Sequence, residues 1–193
     1  MPDEINPMPE EITLPLLSRE LVSNFQKERN IIIASAIDDE LALKVMLLLR
    51  SLDNESHDPI HLYINSPGGS VSAGFTIVDN MRLIKSPVYT ICYGTAASMA
   101  AVIFAAGEKG HRYVLRHSEI MIHQPWRQFG EAYKQSDLEI VSEHMKRSRL
   151  QLEEILAEAS GRPLEEIHAA CEKDNFLTAE DAIAMGLADK IKE

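Results

Sequence analysis

Between residues 30 and 106, short β-branched runs alternate with helix-like segments, and this alternation limits the fold more than any other feature of the chain. Residues 30–35, with Ile31, Ile32 and Ile33 at their centre, read as one strand. Ile60-His61-Leu62-Tyr63-Ile64 and Val88-Tyr89-Thr90-Ile91-Cys92 read as two more. Between the first two, Asp38-Asp39-Glu40 opens a helix to about residue 52, with acids in the first turn where the helix dipole favours them. Residues 72–84 form an amphipathic helix through Phe75, Ile77, Val78, Met81 and Ile84. After the third strand, the apolar, Ala-rich segment 99–106 reads as a buried helix. Such an order predicts an α/β domain with parallel strands and helical crossovers.

The remainder follows less regularly. Residues 111–115 and 119–122 are two short strands, and 126–135 a loop or extended piece. Residues 136–159 are the longest helix, with Leu138, Val141, Met145, Leu152, Ile155 and Leu156 in one stripe and Glu139, Glu143, Lys146, Arg147, Glu153 and Glu154 on other faces. This helix breaks the alternation and reads as projecting from the body. Gly161 ends it, and Pro163, at a first helical position, starts a short helix to 171. Residues 172–176 read as a polar connection. Thr178 caps a last helix with Asp181 in capping-box position, Gly186 closes that helix, and 188–191 end the chain. Residues 1–11 read as a mobile arm, and 14–27 as a short helix from Ser18 onward.

Composition removes several functions. A chain of 193 residues suits one domain with a sizeable core. The formal net charge is −11 and no basic patch stands out, which argues against nucleic acid as a partner. No apolar run approaches the roughly 20 residues that span a bilayer. Residues 1–9 are acidic and Pro-rich, without the basic and apolar regions of a secretory signal. The two cysteines, Cys92 and Cys171, are far apart in apolar or helical contexts and read as free thiols, which suits a reducing cytosol.

Candidate chemistry begins at Ser98, between the third strand and the buried helix. Unpartnered N–H groups and the helix dipole favour negative charge there. The serine is either a helix cap, the commoner role, or a nucleophile whose reaction builds an oxyanion. Asn65-Ser66-Pro67-Gly68-Gly69-Ser70 follows the second strand directly. Its glycines either make a plain turn or bring backbone N–H groups close to a ligand, and neither phosphate-loop spacing is present. His123 lies at a strand end before Pro125, either in a site or as an ordinary core or surface histidine. Together, Ser98 could attack, His123 accept its proton and Asp174 orient the imidazole, with N–H groups of Gly69 and Met99 receiving the oxyanion. The order Ser, His, Asp is not that of the α/β-hydrolases, and the G-x-S-x-G elbow is missing.

Four blocks in this order carry a family resemblance: Tyr63-Ile64-Asn65-Ser66-Pro67-Gly68-Gly69-Ser70-Val71, Ala96-Ala97-Ser98-Met99, Met121-Ile122-His123-Gln124-Pro125 and Asp174-Asn175-Phe176-Leu177-Thr178-Ala179-Glu180. The chain resembles the proteolytic subunits of the Clp protease, the ClpP family, from about residue 30 to 189. That resemblance implies an α/β, crotonase-like (ClpP-type) spiral of β-β-α turns with a projecting helical handle at about 126–159. It implies an N-terminal arm and axial region at 1–29 and a single serine protease domain at 30–193. It further implies Ser98 as nucleophile, His123 as base and Asp174 as orienting acid, with an oxyanion hole from Gly69 and Met99. The expected assembly is heptameric rings stacked into a tetradecamer around a closed chamber in the cytoplasm. A AAA+ Clp ATPase would feed it unfolded polypeptides, ATP being used by that partner and no cofactor or metal by this subunit.

The chain departs from the family pattern in places. Ala100 stands where a glycine is usual, Lys173 where an arginine commonly precedes the acid, and residues 126–133 are bulkier than the usual Gly-rich segment. The first 29 residues do not match the usual axial pattern. These departures fit a divergent second paralogue and leave room for a ring shared with a second ClpP-type subunit. They also keep two alternatives open: a catalytically silent or conditionally active ring partner, and an acyl-CoA enzyme of the same fold.

Overall fold

The β-branched runs do form the centre of a sheet. A computed structural model of the chain describes residues 19–126 and 134–192. Its strands are β1 (Asn30–Ile33), β2 (Ile60–Ser66), β3 (Val88–Ala97), β4 (Arg112–Leu115), β5 (Glu119–Ile122), β6 (Asn175–Leu177) and β7 (Lys190–Lys192). The helices are α1 (Arg19–Lys27), α2 (Asp39–Glu55), α3 (Val71–Leu83), α4 (Met99–Ala105), α5 (Gln135–Ser160), α6 (Leu164–Ala170) and α7 (Ala179–Met185). The expected arm at 1–11, and most of the expected loop at 126–135, lie outside the described residues.

Parallel pairing runs through β1-β2-β3-β4-β7, as the alternation predicts. One strand departs from simple order and positions the site. β3 runs to Ala97, beyond the expected end at Cys92, and changes partner along its length. Its first half pairs with β4 through Thr90, Ile91 and Cys92. Its second half pairs with β5 through Thr95, Ala96 and Ala97. β6 then adds antiparallel to β5, with Ile122 opposite Asn175. The polar connection expected at 172–176 is thus partly strand, and the tail expected at 188–191 joins the sheet as β7.

The core lies between this sheet and the helices. Every residue of α4 is buried, and Phe104, Ile103, Ala100 and Ala101 are fully so. Small alanines let α4 sit close to β3, and Ala100 fits without exposure. Asp38 caps α2 by accepting from the Leu41 N–H, and Ser70 caps α3 by accepting from Ala73. The Thr178–Asp181 capping box is present, and Gly161 and Gly186 end α5 and α7 in left-handed conformations. Pro163 sits one place earlier than expected, at the cap before α6. On α5 the apolar stripe is covered only at its C-terminal end, by Leu152, Ile155 and Leu156, while Leu138 is exposed. Glu153 does not share the solvated face expected for it: it is buried, because Arg149 and His168 pair with it.

Burial of one further charge pair closes the sheet. Arg112 donates from Nη2 and Nε to Asp189 at 2.7 and 2.9 Å and reaches the Ala159 carbonyl at 3.0 Å. Burial alone would raise the Asp189 carboxyl, but its hydrogen bonds with Arg112 outweigh burial and hold it below the ordinary carboxylate range.

Candidate active site

Ser98 joins β3 to α4 in a conformation that few L-residues adopt, with φ 55° and ψ −124°. Both sides of the turn are pinned. The Ser98 N–H donates to the Met121 carbonyl at 2.8 Å, and its carbonyl accepts from Ala101 at 3.0 Å. Although Ser98 occupies the cap position of α4, its side chain makes no capping hydrogen bond. The hydroxyl turns instead to His123 Nε2 at 2.8 Å. Of the two roles open to this serine, a side-chain cap is thereby excluded in this structure.

The same strand switch delivers the histidine. Because Ala97 lies opposite Met121, the end of β5 runs beside the turn that carries Ser98. His123 follows β5 directly and is largely buried, with 12 % of its side chain exposed. Its Nδ1 lies 3.1 Å from Asp174 Oδ1. Opposite a carboxylate Nδ1 must carry the proton, which leaves Nε2 of the neutral ring as an acceptor for the Ser98 hydroxyl. Asp174 stands one residue beyond the last β5–β6 pair, so the register itself makes it the next neighbour of His123. Its side chain is 63 % exposed.

The glycine turn forms the opposite wall. A Cβ on Gly68, at φ 89°, would stand 2.6 Å from the Ala97 carbonyl and 2.8 Å from Ser98 Cβ. A Cβ on Gly69 would stand 2.3 Å from the Ile37 carbonyl. Only glycines let the backbone pass between Ile37 and Ser98. The turn is fixed by Ser66, whose hydroxyl donates to Ser35 and accepts from the Gly68 N–H. Bridging to Ile37 uses the Gly68 carbonyl and the Ser70 N–H, not the N–H of Gly69. Gly69 lines an open cleft of about 470 Å³ together with Gly68, Ser98, His123 and Asp174. Met99 starts α4 next to Ser98, with its side chain buried against Gly74. An extended segment laid in this cleft would meet a hydroxyl in hydrogen-bond contact with an imidazole, beside the backbone of the Gly68-Gly69 turn, and such a pair is the equipment of nucleophilic catalysis.

Two further side chains, Gln124 and Arg149, support the segments that carry the imidazole and the carboxylate. Gln124, next to His123, donates from its backbone to the Cys171 carbonyl at 2.6 Å and from Nε2 to the Glu172 carbonyl at 2.8 Å. Arg149 of α5 reaches Gln124, Glu153 and Glu172. Its hydrogen bond and charge hold the Glu172 carboxyl below the ordinary range. Burial, with the Glu153 charge, pushes the Cys171 thiol up to about 12. In the sequence only the i, i+4 spacing of Arg149 and Glu153 points to this cluster, and the same spacing marks solvated pairs. Among the described residues no cluster suits a metal ion, and no helix is long and apolar enough to cross a membrane.

Comparison with known proteins agrees with the resemblance. The family model described as Clp protease matches residues 17–193. A protein of Streptococcus gordonii named ATP-dependent Clp protease proteolytic subunit is 44 % identical over 175 residues, covering 90 % of this chain and 89 % of its own. Proteins of the same name from Streptococcus salivarius and Streptococcus pneumoniae are 42 % and 43 % identical over the same share of each chain.

Proposed function

The chain belongs to the Clp protease family, and we propose that it hydrolyses peptide bonds as a proteolytic subunit through Ser98, His123 and Asp174. The carrying observation is an unbroken relay: hydroxyl to Nε2 at 2.8 Å, and Nδ1 to carboxylate at 3.1 Å. Ser98 Oγ attacks the scissile carbonyl as its proton passes to His123 Nε2. Asp174 holds the tautomer and stabilises the imidazolium. The tetrahedral oxyanion accepts from the N–H groups of Gly69 and Met99. His123 then gives its proton to the leaving amine, the C–N bond breaks, and an acyl-enzyme forms. Water attacks the ester as its proton passes to the same imidazole; the C–Oγ bond then breaks, His123 returns that proton to Ser98 Oγ, and the acid leaves.

The wider setting is part of the same reading. Subunits form heptameric rings stacked as a tetradecamer, with α5 as the handle between rings on a crotonase-like spiral. Uncovered apolar residues on α5, Leu138, Ile140 and Leu150, support a covered surface there. A AAA+ Clp ATPase uses ATP to unfold polypeptides and deliver them, and rings mixed with a second ClpP-type subunit are compatible with the divergent segments. Two buried thiols suit a cytoplasmic setting. A silent ring partner calls for a broken relay, and an acyl-CoA enzyme has no use for the Ser98 hydroxyl; the relay geometry favours neither.

Fluorophosphonate labelling tests the assignment. Ser98 should be modified in the native protein, and His123→Ala should block the reaction. Ser98→Ala should abolish peptide hydrolysis, a loss on the order of 10⁶-fold, while the mass of the native assembly is unchanged. Retained turnover in that variant would refute the nucleophile.

A further inference from the structure

Ser98 and His123 are packed against the sheet and a buried helix, whereas Asp174 lies one residue outside the last β5–β6 pair. Its carboxylate is largely exposed, and His123 is its hydrogen-bond partner among the described residues. Where that carboxylate sits is therefore decided by the backbone on its two sides: β6, paired with β5 from Asn175 onward, and residues 171–174, which lead to it. Gln124 holds this backbone by two bonds, to the carbonyls of Cys171 and Glu172. The side-chain bond requires the Gln124 amide to face one way. Arg149 fixes that direction: its Nη1 donates to Gln124 Oε1 at 2.9 Å, and a reversed amide would set its NH₂ group against the guanidinium. Arg149 Nη2 also takes the Glu172 carboxylate at 2.9 Å and the His168 carbonyl at 3.3 Å. Its Nε is anchored at 2.7 Å on Glu153, which is buried and also pairs with His168 Nδ1 at 2.9 Å.

We infer that Arg149 is a positioning residue for the reaction: carried by α5, it aims Asp174 at His123 by clamping Gln124 and Glu172 together. The guanidinium touches no reacting atom. It acts through the two chain segments that bear the base and the acid, and its planar fork offers five N–H donors in fixed directions, against three on the ammonium of a lysine. A misplacement of about 1 Å at the carboxylate is enough to cost about 10²-fold in rate.

This inference rests on the proteolytic reading, so the wild-type assembly is measured first. If fluorophosphonate does not label its Ser98, that reading fails, and the inference fails with it. If labelling and peptide hydrolysis are present, Arg149→Met should lower kcat about 10²-fold with KM nearly unchanged and the assembly mass retained. Arg149→Lys should recover part of the loss. In an Asp174→Asn background, where no carboxylate remains to be aimed, Arg149→Met should cost less than about threefold more, by the non-additivity of residues acting as one unit. Should Arg149→Met fail to assemble, Gln124→Met removes the same clamp without leaving a buried charge, and the same kcat loss is expected. An unchanged kcat in the variant that assembles, or an equal loss in both backgrounds, would overturn the inference while leaving the protease intact.

Discussion

Two ends of one relay are built in opposite ways. Ser98 sits between β3 and a wholly buried helix, its N–H on Met121 and its walls made of glycine and alanine. Asp174, 51 positions from His123 in sequence, lies on the surface at the start of a three-residue strand. Dense packing fixes the hydroxyl, because a displaced Ser98 would clash with Gly68 or open a gap beside α4. Hydrogen bonds fix the carboxylate, and each of those can open without disturbing the core. Precision at the first end depends on volume, and at the second on the orientation of a few polar groups.

The largest way to break this contrast is Asp174→Asn. The amide keeps the shape and loses the preference for the right tautomer, so kcat should fall up to roughly 10⁴-fold while melting temperature stays near wild type. A rate close to wild type in a peptide assay would show that another group orients His123. Gly68→Ala attacks the packed end. Its Cβ, at a positive φ and 2.8 Å from Ser98 Cβ, should cost about 1–3 kcal/mol in a thermal or denaturant melt and reduce turnover as well. Loss of turnover without loss of stability would mean that packing does not hold the serine. The smallest effect sharpens the comparison through the two thiols. Burial raises the pKa of both Cys92 and Cys171, so both should alkylate slowly in the native protein. Cys171, which the Glu153 charge raises further, should react more slowly than Cys92 on thiolate fraction alone, as read by mass spectrometry. An earlier reaction at Cys171 would show that the segment holding Gln124 opens more readily than β3.

The same division explains what the sequence could and could not disclose. Strands rich in Ile and Val, capped helices and the Gly68-Gly69 pair announce themselves by period and by local chemistry. Ser98, His123 and Asp174 stand in three of the four blocks, and the structure brings them into hydrogen-bond contact. β6 escaped because three residues after a polar run carry no measurable period, and its existence depends on pairing with β5. The extension of β3 to Ala97 escaped because Gly94 and two alanines are poor strand formers, and pairing with β5 overrides that preference. Glu153 was expected in water because charge normally is; Arg149, four residues before it, fits a solvated pair as well as a buried one, and His168 comes from α6, where no local pattern shows it. What one segment decides alone was legible, and what two distant segments decide jointly was not.

The backbone angle at Ser98 has a consequence beyond the reaction. A non-glycine residue held at φ 55° lies above its relaxed energy by about 1–3 kcal/mol, and the surrounding core must outweigh that in every folded molecule. Glycine there would relax the turn and remove the proposed nucleophile, so on that proposal the sturdiest version of this protein is an inert one. Thermal endurance and proteolysis therefore compete at a single residue, and engineering for heat resistance has to begin elsewhere.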